Sequence, residues 1–238
     1  MTTGSISSTT ASGQSPPLST IGAKYIVAVT GLLLIVFLFG HMAGNLLIFK
    51  SADSLNTYAA WLKSQTPLLW TARAGLLFLF VTHLGLTIWL VNRSALARPQ
   101  KYVFERTQVA SAASRFMIWS GIVILAFVIY HLAHYTFGVT HQLEGSHYYD
   151  LKDSQGRHDV YRMVVGGFRN IWIAGFYILC QIVLATHLYH GASSMLQTWG
   201  FYHHKYNAVI HKVGLFVALA IGAGNCSIPL AIQLGWVG

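Results

Sequence analysis

Apolar residues in this chain run in long uninterrupted blocks, and the few charged residues mark where the blocks end. Lys24 and Lys50 bracket 25 uncharged residues, Arg73 and Arg93 bracket 19, and Arg115 and Glu144 bracket 28. A further 35 separate Arg169 from Lys205, and the last 26 residues, after Lys212, carry no charge. A hydrocarbon core about 30 Å thick is crossed by about 20 residues of helix, so every block is long enough to span it. Barrel-type alternation is missing, and a backbone in lipid must satisfy its own polar groups, so the blocks predict helices. We place helix I over Tyr25–Phe49, helix II from Pro67 to about Asn92, and helix III over Ser114–Thr140. Helix IV covers Phe168–Trp199, and helix V runs from Tyr206 to about Leu234, kinked near its end by Pro229. A short surface helix is expected over Asp53–Lys63, ahead of Pro67, whose missing N–H suits a helix start. Residues 1–20 are uncharged and rich in Ser, Thr, Gly and Pro. They read as a flexible tail, without the basic and apolar regions of a signal peptide. Residues 21–238 read as one transmembrane domain, and no internal repeat is evident from sequence identity.

Composition fixes the class. The chain is 54% hydrophobic and 9% charged, against about 25% charged in a typical soluble domain. Disordered, collagenous, coiled-coil and disulfide-scaffold classes are excluded on the same grounds, leaving an all-α integral membrane protein with five transmembrane helices. The formal net charge of +9 would suit nucleic acid, but its distribution follows membrane topology instead. Arg93, Arg98, Lys101, Arg106 and Arg115 flank the II–III connection, and Lys205 and Lys212 flank the IV–V connection. Four of the six acids, Glu144, Asp150, Asp153 and Asp159, share the III–IV connection. The positive-inside rule then puts the basic connections and the N-terminus in the cytoplasm, and the 141–167 loop outside. Cys180 and Cys226 lie within apolar runs and no C-x-x-C-H occurs, so neither a thiolate cluster nor covalent haem attachment is available.

The chemistry lies in the histidines. Ionisable side chains within spans are rare and point to function by default. Six of the twelve histidines fall there, namely His41, His83, His131, His134, His187 and His190, with no Asp, Glu, Lys or Arg at mid-membrane. His41 lies 16 residues after Tyr25, His83 16 after Pro67, His131 16 after Arg115 and His187 16 after Ile171. Each thus sits in the later half of its helix. Because the helices alternate in direction, His41 and His131 share an outer level and His83 and His187 an inner one. In an up–down bundle, helices I and III are diagonal partners, as are II and IV. Two imidazoles facing each other across a flat gap hold the iron of a b-type haem, so two such pairs imply two haems. Gly40, Gly44, Gly85 and Gly191 flank the histidines, where a porphyrin or a packed helix must come close to the backbone. A single such histidine would be read as an interhelical hydrogen bond, but four in antiparallel register favour ligation. His134 and His190, each three residues beyond its neighbour, are the alternative ligands, or partners of a propionate or second-sphere group.

The runs T-G-L-L-L-I-V-F-L-F-G-H-M-A-G-N (30–45), V-T-H-L-G-L-T (81–87), S-G-I-V-I-L-A-F-V-I-Y-H-L (120–132) and A-T-H-L-Y-H-G-A-S-S-M-L-Q-T-W-G (185–200) resemble a known family. It is the five-helix dihaem cytochrome b anchor of succinate dehydrogenase and fumarate reductase, the group that works with menaquinone. The resemblance covers helices I to IV and favours His187 over His190 and His131 over His134. Helix V matches only in length and apolarity, and the 141–167 loop has no counterpart. The resemblance implies a bacterial cytoplasmic-membrane subunit in complex with an iron–sulfur subunit and a flavoprotein subunit. It implies two haem b, the outer held by His41 and His131 and the inner by His83 and His187, and exchange of electrons with menaquinone.

The resemblance also implies a quinone site near the first outer connection, with Asp53 as candidate proton acceptor beside Asn56, Tyr58 and Trp61, although Asp53 also suits a helix N-cap. Lys24, Arg73, Arg115, Arg162 and Arg169 are candidate contacts for haem propionates, or interface cations that snorkel. Tyr202, His203 and His204 are expected on the docking surface for the iron–sulfur subunit. Two alternatives stand beside this reading. One is the cytochrome b anchor of a formate dehydrogenase or hydrogenase. The other is a transporter lined by histidines, against which the lack of intramembrane carboxylates and matched broken helices counts.

Overall fold

The computed structural model describes residues 18–97, 116–201 and 203–238. Its helices are α1 (Thr20–Asn45), α2 (Ala52–Ser64), α3 (Thr66–Leu96), α4 (Met117–His131), α5 (Val160–Arg169), α6 (Ile171–Leu196) and α7 (Asn207–Gln233). A tight 3-10 turn, Leu46–Phe49, prolongs α1, while wide π turns, Leu132–Thr136 and Gln197–Phe201, prolong α4 and α6. With these extensions α1, α3, α4, α6 and α7 are long and apolar enough to cross a membrane, which makes this a multi-pass membrane protein. Side-chain exposure agrees with a lipid surround. No residue of α3 is buried, and Phe78, Trp119 and Leu219 are 69%, 66% and 61% exposed. Water would not tolerate so much contiguous apolar surface.

Packing makes two helix pairs. α1 lies along α3, α4 lies along α6, and α1 also touches α6, while α7 packs most extensively on α6. The α6–α7 approach is close because Gly214 lacks a side chain. A Cβ there would overlap the Tyr189 carbonyl and the Ser193 hydroxyl. Deeper in the same seam, Asn225 Nδ2 donates to Gln181 Oε1 at 3.1 Å, an interhelical bond of the kind that holds helices together in lipid. Short elements gather at one end of the bundle, here called the capped end. They are α2, a two-residue hairpin (Gln142–Leu143 with Ser146–His147) and the amphipathic α5. At the opposite, open end lie the end of α3, the start of α4 and the α6–α7 connection.

Several boundaries differ from expectation, each for a local reason. Helix I starts at Thr20 because the Ser19 hydroxyl accepts from Gly22 N–H at 3.0 Å and caps it. The expected tail to residue 20 is thus shortened, and residues 1–17 lie outside the described ones. Helix IV does not begin at Phe168. Asn170 is extended, and its carboxamide accepts from the N–H groups of Trp172 and Ile173, so α5 and α6 are separate helices. The 141–167 segment, expected as a loop, therefore contains most of α5. Helix III is regular only to His131, and its first expected residues, Ser114 and Arg115, lie outside the described ones. The cap of α2 is Ser51, not Asp53, with its hydroxyl accepting from Ser54 N–H at 3.0 Å. Pro229 is buried within α7, which continues past it to Gln233.

Candidate functional site

At the open-end level, His83 of α3 and His187 of α6 are held by the neighbouring helices. His83 Nδ1 lies 3.1 Å from Thr30 Oγ1 and 3.2 Å from the Val27 carbonyl oxygen, both on α1. A carbonyl only accepts, so Nδ1 carries the proton. The Thr30 hydroxyl spends its own proton on the Ile26 carbonyl at 2.8 Å and accepts likewise. His187 Nδ1 lies beside Ser120 Oγ of α4. For His83 the Val27 carbonyl makes Nδ1 the donor and leaves the lone pair on Nε2, while Ser120 Oγ stands at the same 2.9 Å from the Met117 carbonyl and from His187 Nδ1. His83 is also the first titratable neighbour of His187. Gly31 lets the His83 ring rest on α1, since a Cβ there would stand 3.2 Å from His83 Cε1.

The capped-end level is built differently. His41 of α1 and His131 of α4 face each other with ring centres 5.8 Å apart and planes at 87°. Aromatic neighbours cluster on His131, whereas His41 is exposed and has Phe37 beside it. Phe37 stacks on His41 at 5.5 Å, and Phe127, Tyr135 and Tyr177 lie 5.8, 5.9 and 6.1 Å from His131. Among the described residues neither ring forms a hydrogen bond, and His131 Nδ1 is buried without a partner. Thr30, which marks the open-end level on α1, is eleven residues from His41. At 1.5 Å per residue the two levels are about 16 Å apart, well inside the hydrocarbon thickness.

This donor set fits axial ligation of haem iron. A nitrogen ligand sits about 2 Å from a bound transition metal, so two imidazoles on one ion hold their ring centres about 6 Å apart. The capped-end pair matches that separation. Ligating imidazoles ordinarily donate their second ring N–H to an acceptor, as His83 does. Among the described residues no group of three or more His, Cys, Asp or Glu side chains is placed to hold a metal ion. A Cβ on Gly40, Gly85 or Gly191 would meet nothing within 4 Å, whereas at Gly44 it would collide with the Tyr58 ring, so Gly44 serves Tyr58.

Other candidates fall elsewhere. Lys24 lines a pocket of about 320 Å³ at the open end together with Ser194, Gln197 and Thr198. Arg73 lies over the Trp70 ring at 5.1 Å, Arg162 pairs with Glu144, and Arg169 is exposed. Arg115 and Tyr202 lie outside the described residues. His203 and His204 are exposed at the open end with rings 4.3 Å apart, and His190 has His211 of α7 as a neighbour. His134 lies in the wide turn that follows α4, and like His131 it contacts Tyr135 and Tyr177. It is fully buried, 2.9 Å from the Tyr177 hydroxyl and stacked on Tyr135 at 4.0 Å.

Asp53 and Asn56 belong to a latch between α2 and the segment before α5. Arg157 donates to Asp53 at 2.8 Å, to Asp153 at 2.7 Å and to Thr57 at 2.7 Å. Buried Asn56 donates to Asp159 at 2.9 Å and accepts from Tyr161 N–H at 3.0 Å. Tyr58 stacks near Trp61 at 6.2 Å, and Trp61 is half exposed. Desolvation works to raise the Asp153 carboxyl, but the hydrogen bonds from Arg157 and Gln155 outweigh it and hold it below the ordinary carboxylate value.

Thr30, Gly31, Ser120, Gly121 and Arg157 are the residues that sequence reasoning passed over. A signal was present for the first four. Thr-Gly precedes His41 by the same interval at which Ser-Gly precedes His131, and the partner helices both carry Thr-His-Leu, at 82–84 and 186–188. The α1–α3 and α4–α6 pairs thus share one local device. No protein-family model, characterised relative or solved structure matches the chain.

Proposed function

We propose that this chain is a dihaem cytochrome b of a respiratory membrane complex, carrying electrons between an iron–sulfur subunit and menaquinone. The observation that carries the reading is the pairing of four imidazoles at two levels, with His41 and His131 at ligand spacing. At the other level Nε2 of His83 is left as the free donor. His41 and His131 would hold one haem, His83 and His187 the other, and each haem supplies a one-electron carrier that side chains lack. The apolar helices exclude water from both levels, and the Nδ1 tethers keep the open-end rings in the ligating tautomer. The resemblance to succinate dehydrogenase anchors directs the partner assignment. On that reading the open end faces the cytoplasm and the iron–sulfur and flavoprotein subunits, and the capped end faces outward.

An optical spectrum of the purified chain is the test. A b-type reduced-minus-oxidised spectrum with two haems per chain is expected. His41→Ala and His131→Ala should each remove the same haem, and His83→Ala and His187→Ala the other. A colourless chain from haem-producing cells overturns the reading. Copurification of a flavoprotein with succinate dehydrogenase activity checks the partner assignment.

A further inference from the structure

We propose that Thr30 and Ser120 are matched positioning residues that set the reduction potential at the open-end level and leave the capped-end level untouched. The inference rests on the dihaem reading and deepens it. Both hydroxyls are buried, at 4% and 7% exposure. Each lies on one helix and reaches the histidine of the next, Thr30 of α1 to His83 of α3 and Ser120 of α4 to His187 of α6. Thr30 has the Ile26 carbonyl for its proton and Ser120 the Met117 carbonyl, and in the proposed arrangement each hydroxyl accepts from the ring. That arrangement fixes the tautomer and, for His83 with the Val27 carbonyl as second acceptor, the rotation of the ring.

An acceptor on Nδ1–H makes the opposite nitrogen a stronger electron donor. A stronger donor favours the more highly charged state of a bound metal, and hydrogen bonding around the ligands is one of the protein's levers on potential. His41 and His131 have no such acceptor among the described residues. The bias therefore acts on one level only. Its doubling is written into the sequence, because Thr30-Gly31 and Ser120-Gly121 stand at equal distance from His41 and His131. In each case the glycine adjoins the tethered ring, with a Cβ-to-Cε1 distance of 3.2 Å at Gly31 and 4.0 Å at Gly121. A hydroxyl that merely joined two helices would need neither a histidine as its partner nor this repetition.

The experiment is a redox titration of the full chain, with the open-end haem identified as the one missing in His83→Ala. Ser120→Ala, which removes the one acceptor of His187, should shift that haem toward easier reduction, and Thr30→Val should shift it the same way by less, because the Val27 carbonyl still accepts from His83. The equilibrium constant should change about two- to tenfold, the range of one hydrogen bond, where tenfold corresponds to about 59 mV. The low-spin electron paramagnetic resonance signal of the same haem should move with it, and the capped-end haem should not. Thr30→Ser and Ser120→Thr keep the hydroxyl and should hold the wild-type potential. If Thr30→Val does not assemble, Ser120→Ala reads the same effect from the other side. Two haems with unmoved potentials, or an equal shift in both, overturn the inference while leaving the dihaem reading standing. A wild-type chain without haem removes that reading and this inference together.

Discussion

The two histidine levels solve one problem by opposite means. At the open end, hydroxyl and carbonyl acceptors on neighbouring helices grip Nδ1 of His83 and His187. At the capped end no acceptor does so among the described residues, and His41 and His131 are held by the shape of Phe37, Phe127, Tyr135 and Tyr177. A hydrogen bond fixes tautomer and rotation at one atom, and it must be buried and complete to be worthwhile. Aromatic packing fixes only the volume available to the ring. The first means needs two helices in exact register, and the α1–α3 and α4–α6 pairs supply it. The second needs a lid, which α2, the hairpin and α5 supply.

The sharpest way to break this comparison is Gly31→Val. Its β-branched side chain would occupy the space of the His83 ring, where even a Cβ stands 3.2 Å away. On the proposed dihaem reading, loss of the open-end haem is expected, one haem per chain instead of two, with the capped-end haem retained. Gly121→Ala, whose Cβ stands 4.0 Å from His187 Cε1, should keep both. A Gly31→Val chain that still binds two haems would show that contact with α1 does not place His83.

A smaller effect is expected where packing does the holding. Phe127 is buried against His131 and Tyr177. Phe127→Ala in a soluble core would cost about 3–5 kcal/mol. In lipid the transfer part of that cost largely disappears, because the acyl chains are as apolar as the core, so a loss on the order of 2 kcal/mol is expected. Denaturant titration in detergent measures it. The chain should then release the capped-end haem before the other, and the reverse order would contradict the aromatic support assigned to His131.

Legibility in the sequence follows the same division. The uncharged runs gave the five spans because lipid enforces apolarity along a whole helix, and histidine depth could be read as two levels because helix geometry converts residue number into height. Which hydroxyl reaches which ring depends on helix pairing, so Thr30 and Ser120 stayed unread even though their interval to His41 and His131 repeats. The break at Asn170 was missed because α5 is amphipathic and runs directly into the apolar α6. The asparagine ahead of an apolar run was its signal. Asp53 and Asn56 were legible as polar residues of the first outer connection, but their partners Arg157, Asp153 and Asp159 lie about a hundred residues away and no local pattern links them.

The lid itself should respond to acid, with the smallest of these effects. Burial holds the His158 imidazole below its ordinary value of 6.5, with the charge of Lys63 and then Lys152 acting in the same direction. The Leu151 backbone hydrogen bond and the Asp159 charge oppose this without overcoming the burial. A base whose folded value is depressed takes up its proton more readily when unfolded. Its contribution is therefore complete above pH 6.5 and declines as pH falls from there through the folded value. The carboxylates follow at lower pH. Glu144 is held below its ordinary 4.5 by the hydrogen bond and charge of Arg162, and Asp153 below 3.8 as described, so each contribution is lost as pH falls through its folded value. All three signs agree, and acidification should loosen the lid before the bundle. Amide hydrogen exchange, corrected for its intrinsic pH dependence, should quicken a few-fold over residues 150–160 between pH 7.5 and 5.5, while α6 stays unchanged. His158→Asn should abolish this first step and leave the one below pH 4.5. A lid that quickens equally in that variant would place the sensitivity outside His158 and return the comparison to the aromatic packing alone.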